Sequence, residues 1–210
     1  MKLVFLGPPG SGKGTQAKLI SEILKIQHIS TGTLFRQLAE ENNSLGIEAK
    51  EKYWGKGNLV PDNITTKILK ERISKPDCKR GFILDGFPRT LNQVNALEKI
   101  TEIDFAVFIY SYEKEILKRF EQRLQCNSCN IVYGLGKTPK KPGYCDECHK
   151  KLIKREDDNP EILKQRLKIF YDNVSPIVKH YKEKGILIEV NGEQPTEKVK
   201  QEILNNIYNN

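Results

Sequence analysis

Short apolar runs alternate with longer amphipathic segments along most of this chain. Nearly uninterrupted apolar runs predict strands that are buried on both faces. The predicted strands are 2–6, a short one near 28–29, 81–84, 105–110 and 186–190. Segments in which apolar residues recur every three or four positions predict helices. These helices are expected at 13–25, 31–41, 44–54, 62–73, 90–99, 113–125, 160–184 and 196–207.

This alternation predicts an α/β fold with a parallel five-stranded sheet that helices cover on both faces. Asn159-Pro160 marks the start of the longest helix, because Asn is a good N-cap and Pro is tolerated at the first helical position. Ligands of such sheets bind where the strands end. We therefore expect a site at the carboxyl ends of strands 2–6 and 81–84.

A glycine-rich turn joins the first strand to the first helix, and its sequence is Gly7-Pro8-Pro9-Gly10-Ser11-Gly12-Lys13-Gly14-Thr15. Such a turn directs successive backbone N–H groups toward one point, where the helix N-terminus is also directed. Lys13 adds a mobile positive charge, and the hydroxyl of Thr15 follows one position later than in the commonest pattern. The turn predicts a P-loop that binds the phosphates of a nucleotide.

Length and charge narrow the class of protein. With 210 residues the chain can bury one sizeable core and carry a small appended unit. A net charge of +8 would suit a nucleic-acid partner, but acidic residues are interleaved with the lysines and no compact basic block with aromatic residues occurs. A lysine-rich solvated surface with a site for small polyanions fits this pattern better.

No run approaches the roughly 20 apolar residues of a membrane-spanning helix. The apolar run at the N-terminus is too short for a signal peptide. We therefore expect no membrane partner, and a cytoplasmic location in a reducing compartment.

Four of the five cysteines form two pairs, Cys126 with Cys129 and Cys145 with Cys148, and 15 residues separate the pairs. Four thiolates in two such pairs are typical of a structural zinc site. An iron site and two disulfides are the alternatives, and a reducing compartment disfavours disulfides. Because four sulfurs already complete a tetrahedral shell, His149 is not needed as a ligand. The glycines and prolines between the pairs predict a small β-rich lobe whose folding depends on the metal.

Charged residues follow the strand 81–84. Asp85, at the tip of this strand and beside the glycine-rich turn, is well placed to hold the water shell of Mg²⁺. Arg89 follows at a sharp Gly/Pro turn that would direct its guanidinium into the same cleft. A turn with a surface salt bridge is the alternative.

Four more arginines flank the cysteine lobe. Arg119 and Arg123 are four apart in a predicted helix and are expected to share a face. Arg155 and Arg166 bracket the start of the longest helix. Because a guanidinium can contact phosphate oxygens in pairs, we expect these cations to gather around phosphates. A solvated charge on a helix face is the alternative for each of them taken singly.

Together these motifs resemble the adenylate kinase family, in its long form with a zinc-bearing lid. The resemblance covers essentially the whole chain. It is carried by GPPGSGKGT at 7–15, Ser30-Thr31-Gly32 with Arg36, GNLVPD at 57–62, LDGFPRT at 84–90 with Gln93, the cysteine pairs and REDDN at 155–159. It implies a P-loop core formed by 1–29, 61–121 and 160–210, a helical AMP-binding segment at 30–60 and a zinc-binding lid at 122–159.

The resemblance also implies roles for individual residues. The implied ATP contacts are Gly10, Ser11, Gly12, Lys13, Gly14, Thr15, Arg119, Arg123, Val132, Tyr133 and Gln194. The implied AMP contacts are Thr31, Arg36, Asn58, Leu59, Val60, Gly86, Phe87, Pro88, Arg89, Gln93, Arg155 and Arg166. The implied catalytic groups are Lys13, Asp85, Arg89, Arg123, Arg155 and Arg166, which would compensate or organise charge around the transferred phosphoryl group.

The implied reaction is MgATP + AMP ⇌ 2 ADP, which maintains adenine nucleotide balance, in a monomer whose partners are ATP, AMP and ADP. Two departures concern the donor base: the arginine helix lacks the glycine and last arginine of R-x-x-G-R-R, and Gly134 stands where the family often has His. A kinase that uses GTP, or another monophosphate as acceptor, therefore stays open.

A nucleotide-switched module that binds nucleic acid through the cysteine lobe is the alternative from another class. The lobe contains lysines, but Tyr133 and Tyr144 are its only aromatic residues. This composition favours the kinase, without a nucleic-acid partner.

Overall fold

The computed structural model describes residues 1–134 and 136–209, with a five-stranded parallel sheet at its centre. The strands in chain order are β1 (Lys2–Leu6), β2 (Gln27–Ser30), β3 (Phe82–Asp85), β4 (Phe105–Tyr110), β5 (Leu124–Gln125), β6 (Val132–Tyr133) and β7 (Leu187–Asn191). The sheet has the order β2-β3-β1-β4-β7, and β5 pairs with β6 in a separate antiparallel ribbon. The predicted α/β fold and its parallel five-stranded sheet are confirmed.

Eight helices connect or flank these strands in the part of the chain that the structure describes. They are α1 (Lys13–Leu24), α2 (Thr31–Glu40), α3 (Ser44–Lys52), α4 (Asp62–Ile73), α5 (Leu91–Glu98), α6 (Glu113–Gln122), α7 (Pro160–Glu183) and α8 (Thr196–Asn209). Short 3₁₀ turns occur at Trp54–Lys56 and Pro76–Cys78. None of the helices within 1–134 and 136–209 combines the length and the apolar character needed to cross a bilayer.

One predicted helix ends earlier than the sequence suggested. The segment 113–125 stops being helical at Gln122, and Arg123 has an extended backbone with φ −68° and ψ 125°. The chain changes conformation here because Leu124 pairs with Tyr133 in the ribbon of the lobe. The prediction that Arg119 and Arg123 share a helix face is therefore wrong.

Apolar residues cover both faces of the sheet, which explains the uninterrupted apolar runs. Successive side chains of a strand point to opposite faces. Val4 and Leu84 accordingly pack in a cluster with Ile177 of α7, whereas Leu3 packs with Ile20 of α1 on the other face. The sheet is thus held from both sides.

The register of the strands brings two predicted site elements together. Phe5 of β1 is paired with Asp85 of β3, and Ser30 of β2 is paired with the same Asp85. The glycine-rich turn after β1, the turn after β3 and the start of α2 therefore lie side by side at the carboxyl edge of the sheet.

Candidate active site

The glycine-rich turn has a backbone that only glycine can adopt at its start. Gly7 has φ 153°, and a Cβ at this position would lie 2.4 Å from the carbonyl oxygen of Ile109. Gly12, with φ 91°, is the N-cap of α1, so the first turn of that helix opens directly onto the loop. The Lys13 ammonium donates to the Pro8 carbonyl at 3.2 Å and so spans the loop. This geometry is a phosphate cradle with a cation across it.

Lys13 and Asp85 form the electrostatic centre of the site. Burial lowers the pKa of Lys13 to about 8, although the charge of Asp85 opposes the shift. Burial would raise the pKa of Asp85, but the hydrogen bond from His28 and the charge of Lys13 outweigh it, and the pKa is lowered to about 2. The carboxylate of Asp85 lies close to the first turn of α1, since a Cβ on Gly14 would be 3.0 Å from its Oδ2. Asp85 is therefore an ionised acceptor beside the cradle.

Arginines from four different parts of the chain converge on the same cleft. Arg89 lies at the mouth of the cleft, and desolvation of its guanidinium together with the charge of Arg166 lowers its pKa to about 10. Burial and the charges of Arg123 and Arg36 lower the pKa of Arg155 to about 9. Such mutual effects require the guanidinium groups to lie close to one another. Lys13, Arg89, Arg155 and Arg166, all predicted from the sequence, thus lie close together.

Two buried carboxylates that sequence reasoning missed hold these arginines in place. Arg166 donates to Asp157 at 2.7 Å, and Arg123 donates to both carboxylate oxygens of Asp158. Side-chain exposure is 7% for Asp157 and 1% for Asp158. The available signal was a run of three acidic residues after Arg155, of which Asp157 and Asp158 are the last two. The ion pairs explain how so many like charges can be buried together.

Arg119 lies apart from this cluster. Its guanidinium donates to the carbonyls of Ser11 at 3.2 Å and Gly192 at 2.8 Å, and its Nε contacts Glu115 at 3.1 Å. Arg119 therefore connects the glycine-rich turn to the loop after β7 by hydrogen bonds.

An open cavity lies between α2, the turn at Trp54–Lys56 and the end of β3. Nine of the residues predicted to contact AMP line it: Thr31, Arg36, Asn58, Leu59, Val60, Gly86, Arg89, Gln93 and Arg166. Trp54 and Asp157 also line it and were not predicted. The structure therefore assembles most of the predicted acceptor residues around one space.

Three predicted acceptor residues lie elsewhere. Phe87 is fully buried in the core, so only its backbone can face a ligand. Pro88 lines an adjoining cleft, which Lys13 also lines. Arg155 donates through its Nε to Gln125 of the lobe.

Two residues predicted to contact ATP, Tyr133 in the lobe and Gln194 in the core, already have partners within the protein. The Tyr133 ring is 1% exposed, and its hydroxyl accepts from the Asp146 N–H at 2.8 Å. The ring cannot stack on a base while it lies inside the lobe. Gln194 donates to Glu202 at 2.8 Å, next to the start of α8. A Cβ on Gly136 would lie 3.8 Å from the Thr196 hydroxyl, so the tip of the lobe comes close to this part of the core.

The four cysteine sulfurs lie within 4.8 Å of one another. Three of the sulfur–sulfur distances are 3.3 Å for Cys126 to Cys148, 3.4 Å for Cys129 to Cys145 and 3.7 Å for Cys129 to Cys148. Zn–S bonds of about 2.3 Å in a tetrahedron require sulfur–sulfur edges near 3.8 Å, whereas a disulfide needs about 2.05 Å. The cluster is therefore consistent with a closed zinc site and not with disulfides.

Comparisons with known proteins agree with this geometry. The sequence profile of the adenylate kinase family matches residues 5–186. The adenylate kinase of Thermosipho melanesiensis is 44% identical over 211 residues, which are 98% of this chain and 98% of that protein. The adenylate kinase of Acetivibrio thermocellus is 44% identical over 211 residues, covering 98% and 97%. That of Clostridium botulinum is 46% identical over 215 residues, covering 100% and 97%. A match of this extent, on a chain whose cations converge beside a phosphate cradle, shows that the protein belongs to the adenylate kinase family.

Proposed function

We propose that this chain catalyses MgATP + AMP ⇌ 2 ADP, with AMP in the cavity between α2 and the turn at Trp54–Lys56 and the ATP phosphates on the glycine-rich turn. One observation supports the arrangement most directly. Arg89 and Arg166 line both the acceptor cavity and the adjoining cleft that contains Lys13. An acceptor phosphate and a loop-bound phosphate would therefore meet between the same two guanidinium groups.

Positioning and charge account for the catalysis we propose. Phosphoryl transfer needs two nucleotides held in line and positive charge around the moving group. Lys13 would bind the donor phosphates, and Arg89 and Arg166 would contact the transferred group. Arg123 and Arg155 would approach from the lobe, where Asp158 and Gln125 orient them.

Two metal ions are part of the proposal. Asp85, ionised beside the cradle, and the Thr15 hydroxyl fit the water shell of a Mg²⁺ that arrives with ATP, and this ion would neutralise charge on the phosphate oxygens. The four cysteines would hold a structural Zn²⁺, which has no open position for chemistry.

Two parts of the chain would close over the nucleotides and exclude water. We assign AMP binding to 30–60 and the lid to 122–159, as the sequence predicts. Lys50 in the first part contacts Glu156 in the second at 2.5 Å, and Gln165 of α7 donates to Asn58 at 3.1 Å. These contacts support a closed arrangement in which a phosphoryl group is not lost to water. We also propose that the protein is a monomer in the cytoplasm.

The test is an ADP-production assay with ATP or GTP as donor and AMP, CMP, UMP or GMP as acceptor. We expect ATP with AMP to be the best pair. The variant Lys13→Met should lower kcat about 10²- to 10³-fold, because a half-buried cation at the developing charge is lost. Lys18→Met is the matched control, since Lys18 is exposed on the same helix. No ADP from any pair, or an active Lys13→Met variant, would overturn the proposal.

A further inference from the structure

Gln93 lies in the wall of the acceptor cavity, and both ends of its side-chain amide are held by the protein. The residue belongs to the first turn of α5 and is 2% exposed. Its Oε1 accepts from the backbone N–H of Arg89 at 2.7 Å, and its Nε2 donates to Oδ1 of Asp62 at 2.7 Å. These two bonds leave one amide proton and one lone pair of the oxygen for a ligand in the cavity.

Asp62, the first residue of α4, is itself fixed by a second hydrogen bond. Thr90, the N-cap of α5, donates through its hydroxyl to Oδ2 of Asp62 at 2.9 Å and accepts from the Gln93 N–H at 3.1 Å. Each carboxylate oxygen therefore has its own donor, and the start of α4 is joined to the start of α5. Asp62 is not among the described residues that line the cavity, so it would act on a ligand through Gln93.

The two partners of the Gln93 amide decide which way it faces. A side-chain amide can be turned end for end, which exchanges its oxygen and its nitrogen. A carboxylate only accepts hydrogen bonds and a backbone N–H only donates them. A turned amide would place its oxygen against the Asp62 carboxylate and its NH₂ group against the Arg89 N–H. Because both contacts would be repulsive, the amide is held in one orientation.

This orientation determines which base the amide can match. The remaining lone pair of Gln93 can accept a hydrogen bond, and the remaining proton can be donated. Adenine offers the reverse pattern, because its 6-amino group donates and the neighbouring ring nitrogens accept. Guanine and hypoxanthine carry an oxygen at C6, which would face the oxygen of Gln93. An amide that was free to turn could accommodate either kind of base.

We propose that Asp62 is a positioning residue that makes the acceptor site specific for a 6-aminopurine, because it fixes the orientation of the Gln93 amide. The inference rests on the proposed function, which places AMP in this cavity. A site whose polar groups are held in one orientation rejects an analogue with the wrong group strongly, since a buried group of the site is then left facing a like group.

The experiment compares AMP with IMP as acceptor, because the two nucleotides differ only at atoms C6 and N1 of the base. We expect kcat/KM in wild type to be at least about 100-fold higher with AMP than with IMP. In Asp62→Ala the Gln93 amide loses one of its two anchors, so this ratio should fall about tenfold or more, with KM for ATP nearly unchanged. Asp62→Asn keeps an oxygen that can accept from Gln93 and should retain most of the ratio.

Glu71→Gln is the matched control, because it removes the same charge from an exposed position of the same helix. It should leave the ratio unchanged. Equal losses for AMP and IMP in Asp62→Ala would show a merely structural role and overturn this inference, as would a wild type that uses IMP as well as AMP. Both results leave the proposed function standing, whereas a wild-type protein that makes no ADP would overturn both.

Asp62→Ser takes the place of Asp62→Ala if that variant does not fold. Serine is well tolerated where a helix begins. Its hydroxyl is one bond shorter than the carboxylate, so it falls short of the Gln93 amide. We expect the same fall in the ratio of AMP to IMP, and a ratio equal to that of wild type would contradict the inference.

Discussion

The parallel sheet and the cysteine lobe reach a defined structure by different means. In the sheet, Leu3, Val4, Ile83 and Leu84 are all 0% exposed, and helices bury both faces. The lobe, by contrast, has two strands of two residues each and a cluster of five buried residues, two of which are cysteines. Apolar burial can stabilise the sheet, whereas the lobe has too little apolar surface for that.

This difference has a functional consequence. A region with few apolar contacts to the rest of the chain can move without disturbing the core to which it is attached. The phosphate cradle must instead keep its shape, and it follows β1, in which Leu3 to Leu6 are all buried. The predictions that follow test this division of roles, from the largest expected effect to the smallest.

Metal removal should affect the two regions very differently. A strong chelator, or the variant Cys129→Ser, should release about one zinc per chain and unfold the lobe, because metal binding supplies its folding free energy. We expect new protease cleavage confined to 124–153 and a fall in Tm of at least about 5 °C, while most of the helical circular dichroism remains.

Cys78→Ala is the control for metal removal, because Cys78 is buried in the core and lies outside the metal cluster. That variant should keep its zinc and its resistance to protease. A metal-free protein with an unchanged Tm and no new cleavage sites would show that the lobe folds without the metal.

A substitution that creates a cavity in the core should lower the global stability and leave the lobe and its metal unaffected. Leu84→Ala removes a fully buried side chain next to the cradle and should lower the free energy of unfolding by about 2–5 kcal/mol. The zinc content should stay the same. Leu152→Ala, in the cluster of the lobe, is the matched variant and should change global unfolding less while weakening metal retention. Denaturant unfolding with parallel zinc analysis measures both, and equal global losses would contradict the comparison.

The ammonium of Lys13 is desolvated beside the core, and this should appear in the pH dependence of both stability and activity. Burial lowers the pKa of Lys13 from 10.5 to about 8, so between these values the unfolded state binds more protons than the folded state. The contribution of Lys13 to stability therefore rises with pH in that window. Activity should do the reverse, because a neutral Lys13 cannot bind phosphate. We expect kcat/KM for MgATP to fall about tenfold per pH unit above about pH 8.

Two variants identify the group responsible for that fall. Lys13→Arg should remove the limb near pH 8, since a guanidinium stays charged there. Lys18→Met should leave the limb in place. A profile that is flat to pH 10 in wild type would exclude Lys13 as the titrating group.

Local chemistry made much of this protein predictable. The strand after Met1 was evident from its apolar run, the cradle from glycines around Lys13, and the cysteine cluster from its two CxxC pairs. These features depend on residues that are neighbours in the chain, so short-range spacing specifies them.

The contacts between distant segments were not predictable in this way. Arg123 was expected to lie on a helix face, but it leaves the helix and pairs with Asp158, 35 positions later. The Tyr133 ring turns into the lobe, and Trp54 borders the acceptor cavity. Periodicity shows which side of an element is apolar, but not which other element will cover it. Spacing along the chain therefore specified most of the elements, the cradle and the family, whereas the packing of the folded chain was needed to show which charges are paired and which side chains line the cavity.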